Sequence, residues 1–341
     1  MSLQEIIEGY RPAIEAELKA LLESPGEAVQ PFYGMMHYHL GWAGTDFQSL
    51  TAPTGKRLRP VLCLLCCEAA GGVPDLALPA AAAVELVHNF SLVHDDIQDQ
   101  SLTRRHRTTV WAVWGAAQAI NVGDGLYSLA YLALHRLSER GVPAQRVLDA
   151  CCCLAATCLA LCEGQYLDMS FESRAVVSQA EYLEMIRRKT AALLACSCKL
   201  GGLVAGADTA TIAHLHRFGE CLGMAFQVQD DILGIWGEEA VTGKPAADDI
   251  RQHKKTLPIV YALEQGEDQE TLRRLLQEDP MREETVWKVV AMLDAAEARR
   301  YATELAAEYH RRALAELDPL PATPARERLC TLAEELLTRS Y

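Results

Sequence analysis

Two acidic pairs interrupt apolar stretches of this chain: Asp95-Asp96, with Asp99 following, and Asp230-Asp231. Carboxylates on apolar helices are costly unless something neutralises them. Hard divalent cations do so well, and Mg2+ takes one or two carboxylates together with waters and substrate phosphates. Asp95 and Asp99 are spaced i, i+4, as are Gln227 and Asp231, so each set shares a helix face. Two such helices facing each other would hold Mg2+ and a diphosphate between them. Either pair alone reads more readily as an acidic helix end; the repeat of the same chemistry on a second helix weighs against that.

Cations are grouped as an anion site requires. Lys56 and Arg59 lie at i, i+3 beside Gly55 and Pro60, and Arg gives a bidentate fork where Lys gives a point charge. Arg104 and Arg105 follow the first acidic pair. Lys189-Thr190 interrupts an apolar helix, so Lys189 needs a partner. Lys244 and Lys254 fall within residues 234–255, the one long irregular stretch, which reads as a lid. Taken singly, each of these lysines reads as an ordinary surface residue.

The elements that must position these groups are helices. Helical periodicity recurs over residues 2–23, 35–49, 57–71, 79–101, 109–119, 123–140, 144–170, 179–206 and 209–233, and in further segments to 339, with Pro and Gly between them. No alternating strand pattern extends over several residues. One all-α domain over residues 1–341 is expected. The net charge of −14 and the lack of a long basic run argue against nucleic acid as a partner. The 12 cysteines lie mostly in apolar helical runs without zinc-ligand spacing, and read as reduced core residues. No signal peptide is visible, and the charge-free run 150–162 is too short to span a bilayer, so a cytoplasmic protein without a transmembrane segment is expected.

The order of these motifs is more specific than any one of them. Gly55-Lys56-Arg57-Leu58-Arg59-Pro60 precedes Asp95-Asp96-Ile97-Gln98-Asp99 and Arg104-Arg105; then come Gly164-Gln165-Tyr166-Leu167-Asp168, Lys189-Thr190, Phe226-Gln227 with Asp230-Asp231, Gly243-Lys244 and Lys254-Lys255-Thr256-Leu257-Pro258. This resembles the trans-isoprenyl diphosphate synthases, the head-to-tail polyprenyl synthetase family, over about residues 55 to 263. The resemblance implies a helical bundle around a central cavity, a homodimer, and Mg2+-dependent coupling of an allylic diphosphate to isopentenyl diphosphate. Asp95, Asp99 and Asp230 match metal ligands, supported by Asp96 and by Asp231 through metal-bound water. Arg104, Lys189, Lys244 and Lys254 match residues that hold the allylic diphosphate, and Lys56, Arg59, His88 and Arg105 the isopentenyl diphosphate site. Thr190 and Gln227 match polar groups along the developing cation. Three positions depart from the family pattern: Thr54 replaces a glycine, His253 another, and Gly234 stands where the last aspartate of the second motif belongs.

Phe90 lies five residues before Asp95, about 7.5 Å away along a helix, with the small Ser91 beside it. From pattern alone Phe90 is core packing. In the resembled family a large residue there, with a small neighbour, accompanies a twenty-carbon product, so geranylgeranyl diphosphate is expected and farnesyl diphosphate is the alternative. A class I terpene cyclase shares the aspartates but has no use for Lys56, Arg59 and Arg105. A non-catalytic subunit of a heteromeric synthase would be expected to lose more than the carboxylate at Gly234.

Overall fold

The computed structural model describes residues 2–50, 52, 54–172, 174, 176–238 and 245–337. Two compact units are present. One gathers the chain up to Ala155 with Cys196–Ala213 and Leu320–Leu329; the other holds Ala156–Ala195, His214–Pro319 and the chain from Cys330.

The first unit contains α1 (Leu3–Leu21), α2 (Gln30–His39), α3 (Leu58–Ala69), α4 (Pro74–Gln98), a two-stranded hairpin of β1 (Thr103–Arg104) and β2 (Arg107–Thr108), α5 (Val110–Trp114) and α6 (Ala116–Glu139). Ser2 caps α1 in a capping box with Glu5. Pro74 opens α4, where its fixed φ suits the first turn. Fully buried Ala80, Ala81, Ala82 and Ala83 let neighbouring helices come close to α4, which packs against α3 and α6.

Three local expectations change. The helix expected over 35–49 ends at His39, because Gly41 takes a φ of 82°. The break expected after residue 119 falls instead at Gly115, whose φ is 84°. The hairpin was not expected, since two-residue strands carry no readable period. Arg105 and His106 at its turn have φ of 51° and 60°, the two left-handed residues of a tight hairpin turn.

The second unit takes in most of α7 (Ala144–Glu172), then α8 (Gln179–Ile186), a π-helical turn (Arg187–Ala191), the start of α9 (Ala192–Ala205) and most of α10 (Thr209–Trp236). Beyond α10 come helices at Asp248–Arg251, Leu257–Gln265, Gln269–Leu276, Glu283–Ala295 and Ala298–Leu317. Ile235, Ile250, Ile259, Val286, Val289 and Leu293 form their common core. In contrast to the expectation from charge-free runs, α4 and α7 have the length and mean hydropathy, 1.5 and 1.7, of membrane-crossing helices, because isolated acids barely dilute such long apolar segments. The apolar window of α4 is 67% buried and that of α7 39%, so α4 reads as a core helix.

One buried ion pair organises the first unit. Arg57, with a φ of 56°, precedes α3 and points inward with its side chain 0% exposed. Its Nη1 donates to Glu85 of α4 at 2.6 Å, and its Nε to Glu15 of α1 at 2.8 Å. Removing one member of such a pair leaves a buried charge uncompensated. Arg57→Ala is therefore expected to cost about 3–5 kcal/mol in denaturant unfolding; a loss below about 1 kcal/mol, the scale of an exposed pair, would contradict this role.

Candidate active site

Cations concentrate around that pair in the first unit. Arg59 follows Arg57 by two residues, and its Nη1 lies 3.4 Å from Nε2 of His88 on α4. The buried Arg59 Nε has no hydrogen-bond partner among the described residues. Burial, reinforced by Arg105, pulls the Arg59 guanidinium down to about 10. Desolvation and then Arg59, Arg105 and Arg104 pull His88 well below its usual range, so its ring is neutral. Gly55 lies beside them, and a Cβ there would sit 2.8 Å from the Arg105 guanidinium, so glycine lets that cation approach closely. The hairpin also closes a cavity lined by His39, Asp96, Arg104, Arg105, Arg107 and Thr109. Arg57, Arg59, Arg104 and Arg105 thus face three counter-charges, Glu15, Glu85 and Asp96. Such a surplus suits a diphosphate.

Each aspartate pair splits into an open and an enclosed member. Asp95 lies on the last turn of α4, half-buried, and Asp99 caps its C-terminus, exposed, with the Asp99 N–H bonded to the Asp95 carbonyl at 2.8 Å. Asp96 is buried and accepts from Arg104 Nε at 2.8 Å. Burial, against the pull of Arg104, pushes its carboxyl up to about 6. In the second unit Asp230 is exposed, whereas Asp231 is buried. Asp231 accepts from Tyr182 Oη at 2.5 Å, from the Leu257 N–H at 3.0 Å and from Gln227 Nε2 at 3.0 Å. Burial outweighs these bonds and raises it to about 7. The open members offer oxygen alone, the donor set of a hard cation. Among the described residues no three His, Cys, Asp or Glu side chains converge as a ready metal cage; the donors fit an ion such as Mg2+ that completes its shell with water and substrate oxygens.

The π-helical turn presents Lys189 and Thr190. Two glycines of the second unit press on its backbone: a Cβ at Gly164 would lie 2.8 Å from the Lys189 Cα, and one at Gly223 2.9 Å from the Ala191 Cβ. Such bulges often mark functional sites. Lys189 Nζ is bonded to Asp168, one turn beyond Gly164. Thr190 Oγ1 donates to Gln227 Oε1 at 2.8 Å, and Gln227 in turn donates to Asp231. Tyr182, Asp231, Gln227 and Thr190 therefore form one continuous chain of hydrogen bonds.

Lys56 is exposed just before Arg57. Lys254 is 52% exposed, with Nζ 3.5 Å from Asp249; Lys244 lies outside the described residues. On α4 the Phe90 ring packs edge-on against His94 and Tyr127, at centroid separations of 5.2 and 5.3 Å, and Tyr131 continues the row. Ser91 Oγ turns back to the His88 carbonyl at 2.8 Å. Sequence reasoning passed over Arg57, His39, Tyr182 and Asp249. Only Arg57, inside the Lys56–Arg59 motif, carried a signal.

Tyr182 offers a test of the hydrogen-bond chain. Burial, then Asp231, push its phenol well above its usual range, so it stays a donor. Tyr182→Phe withdraws that donor from a buried carboxylate, at an expected cost of about 1–3 kcal/mol in urea unfolding. Unchanged stability would show that Asp231 does not depend on it.

Comparison with known proteins agrees with this geometry. The family model described as polyprenyl synthetase matches residues 42–293. A geranylgeranyl diphosphate synthase of Mycobacterium tuberculosis is 41% identical over 297 residues, covering 86% of this chain and 84% of its own length. A (2E,6E)-farnesyl diphosphate synthase of Mycobacterium bovis is 44% identical over 232 residues, covering 68% and 63%. The crystal structure of a polyprenyl synthetase from Streptomyces coelicolor superposes with a TM-score of 0.91 at 37% identity, over 99% of this chain and 100% of that one. A polyprenyl synthase of Caulobacter crescentus, solved with calcium and isoprenyl diphosphate, gives 0.83 at 30% identity over 100% and 98%. The chain belongs to the polyprenyl synthetase family and is an isoprenyl diphosphate synthase, a prenyltransferase with an all-helical fold.

Proposed function

We propose that this synthase uses Mg2+ to join isopentenyl diphosphate to an allylic diphosphate and releases geranylgeranyl diphosphate. The product length rests on the Phe90 ring, a little over one turn before Asp95 on α4 and backed by Tyr127. A growing tail that leaves the diphosphate at Asp95 and follows α4 meets that ring. Farnesyl diphosphate is the second reading, favoured by the 44% identity to a farnesyl diphosphate synthase.

In this reading Asp95, Asp99 and Asp230 hold the metal, and Asp96 and Asp231 act from behind by fixing Arg104 and Gln227. Bound Mg2+ neutralises the allylic diphosphate as its carbon–oxygen bond breaks. Lys189, Lys244, Lys254 and Arg104 hold the same group. Lys56, Arg59, Arg105 and the neutral His88 hold isopentenyl diphosphate, whose double bond attacks the allylic carbon; proximity supplies much of the acceleration. Thr190 donates its proton to Gln227, so its oxygen lone pairs are available to the developing cation. The C–O electrons leave with the diphosphate, which takes the proton released when the new double bond forms.

The whole chain, residues 1–341, acts in this reading as one synthase domain, cytoplasmic and homodimeric. The dimer is supported by α7, where Leu148, Leu159, Tyr166 and Met169 are 56%, 62%, 72% and 43% exposed. With Cys152 they recur at heptad spacing, a stripe that suits a second copy of the same helix.

The direct test supplies the purified chain with Mg2+, labelled isopentenyl diphosphate and, in separate assays, geranyl or farnesyl diphosphate. A labelled twenty-carbon diphosphate is expected. Accumulation of farnesyl diphosphate from geranyl diphosphate, with no further extension, supports the second reading. A hydrocarbon formed from the allylic diphosphate alone, or no incorporation with either allylic diphosphate, contradicts both. Asp95→Asn keeps the shape and removes the charge, with an expected loss of about 10²-fold or more in turnover; near-normal turnover at saturating Mg2+ contradicts the metal assignment.

Phe90→Ala opens space beside Tyr127, and an isoprene unit is about as long as one helical turn, about 5.4 Å. The variant is expected to add at least one unit, and Phe90→Ala with Tyr127→Ala to go further. Circular dichroism should precede product chromatography: Phe90 is half-buried, so its loss should cost less than the ~3–5 kcal/mol of a fully buried Phe→Ala change. An active, folded variant with the parental product distribution would place the floor elsewhere.

A further inference from the structure

The second aspartate motif lacks its last carboxylate at Gly234, yet the space that a side chain would need there is filled. Gly234 lies i, i+4 from Asp230 on α10, so a side chain at 234 would leave the helix on the face that carries Asp230. A Cβ built on Gly234 collides with the carboxylate of Asp249, whose Cγ would be 2.6 Å away. Asp249 is held there firmly. Its short helix, Asp248–Arg251, starts at Ala247, whose N–H bonds the Ile235 carbonyl at the end of α10 at 3.0 Å. Ala247 and Ile250 are fully buried in the core of the second unit. Asp249 is also one of the charges, with Asp231 and Asp168, that push the Tyr182 phenol upward, so its carboxylate belongs to the same charged neighbourhood. Its Oδ1 lies 3.5 Å from Lys254 Nζ, and its carbonyl accepts the Lys254 N–H at 2.9 Å.

We propose that Asp249 supplies, from the returning chain, the carboxylate missing at Gly234: it completes the outer shell of the Asp230 metal site and holds Lys254 toward the diphosphate. Gly234 and Asp249 form a matched pair, in which the glycine makes room for the acid. The inference rests on the metal-dependent diphosphate site proposed above. It reverses the simple expectation that Gly234→Asp restores the family motif; that change forces two carboxylates into one space.

The test measures binding of inorganic pyrophosphate to the full chain by calorimetry, with Mg2+ and with EDTA. The variants are Asp249→Asn, Asp249→Ala, Gly234→Asp, and Gly234→Asp with Asp249→Ala. Loss of an outer-shell partner typically costs 10–100-fold in metal affinity, so Asp249→Asn and Asp249→Ala are expected to weaken Mg2+-dependent binding about tenfold or more. Gly234→Asp should lower both binding and Tm, and the double variant should recover both. Asp249→Asn keeps the volume and carries the test if Asp249→Ala does not fold. Parental binding by Asp249→Asn, or a double variant no better than Asp249→Ala, overturns the inference alone. A parent chain that binds pyrophosphate no better with Mg2+ than with EDTA overturns the underlying site as well.

Discussion

The buried Arg57–Glu85 pair is the constraint on which the cation cluster of the first unit depends. Arg57 is held in a left-handed backbone conformation, an arrangement that persists only when its surroundings fix it. Here Glu85, Glu15 and burial fix it. The same contact ties the start of α3 to the middle of α4. Lys56 and Arg59 flank Arg57, and Glu85 is the carboxylate whose charge supports Arg57, Arg59 and Arg105 together. One glutamate therefore keeps several guanidiniums near one another without neutralising them. The unspent positive charge is what the proposed isopentenyl diphosphate site relies on.

A second rule runs through both acidic motifs. Adjacent residues on a helix face different ways, so Asp95 and Asp230 reach solvent while Asp96 and Asp231 turn inward. The inward members orient Arg104 on the hairpin, and Gln227 with the start of the helix Leu257–Gln265. Desolvation raises both inward carboxyls, and hydrogen bonds oppose that rise. A doubled aspartate thus pairs an open carboxylate, the proposed metal ligand, with an enclosed one that places cations and dipoles.

Much of this is legible in the sequence. The acidic pairs stand out because they break long apolar helices, and Gly-Lys-x-x-Arg-Pro is dense enough to mark an anion site. Other parts depend on contacts between distant segments. Nothing local announces that Gly164 and Gly223 press on the turn bearing Lys189, or that Tyr182 donates to Asp231. The hairpin holding Arg104 and Arg105 is too short for a periodic signal, and its form follows from two left-handed residues, neither of them glycine. Gly234 reads as a simple loss until the chain returns at Asp249.

In the proposed function two diphosphates are held by different means: one by side-chain cations assembled around Arg57, the other with the help of Mg2+. The most direct measurement is equilibrium binding of isopentenyl diphosphate and of farnesyl diphosphate to the same preparation, with Mg2+ and with EDTA. Isopentenyl diphosphate is expected to bind equally in both conditions, whereas farnesyl diphosphate is expected to lose most of its affinity in EDTA, as separate means of holding them require. Loss of both, or of neither, would contradict that separation.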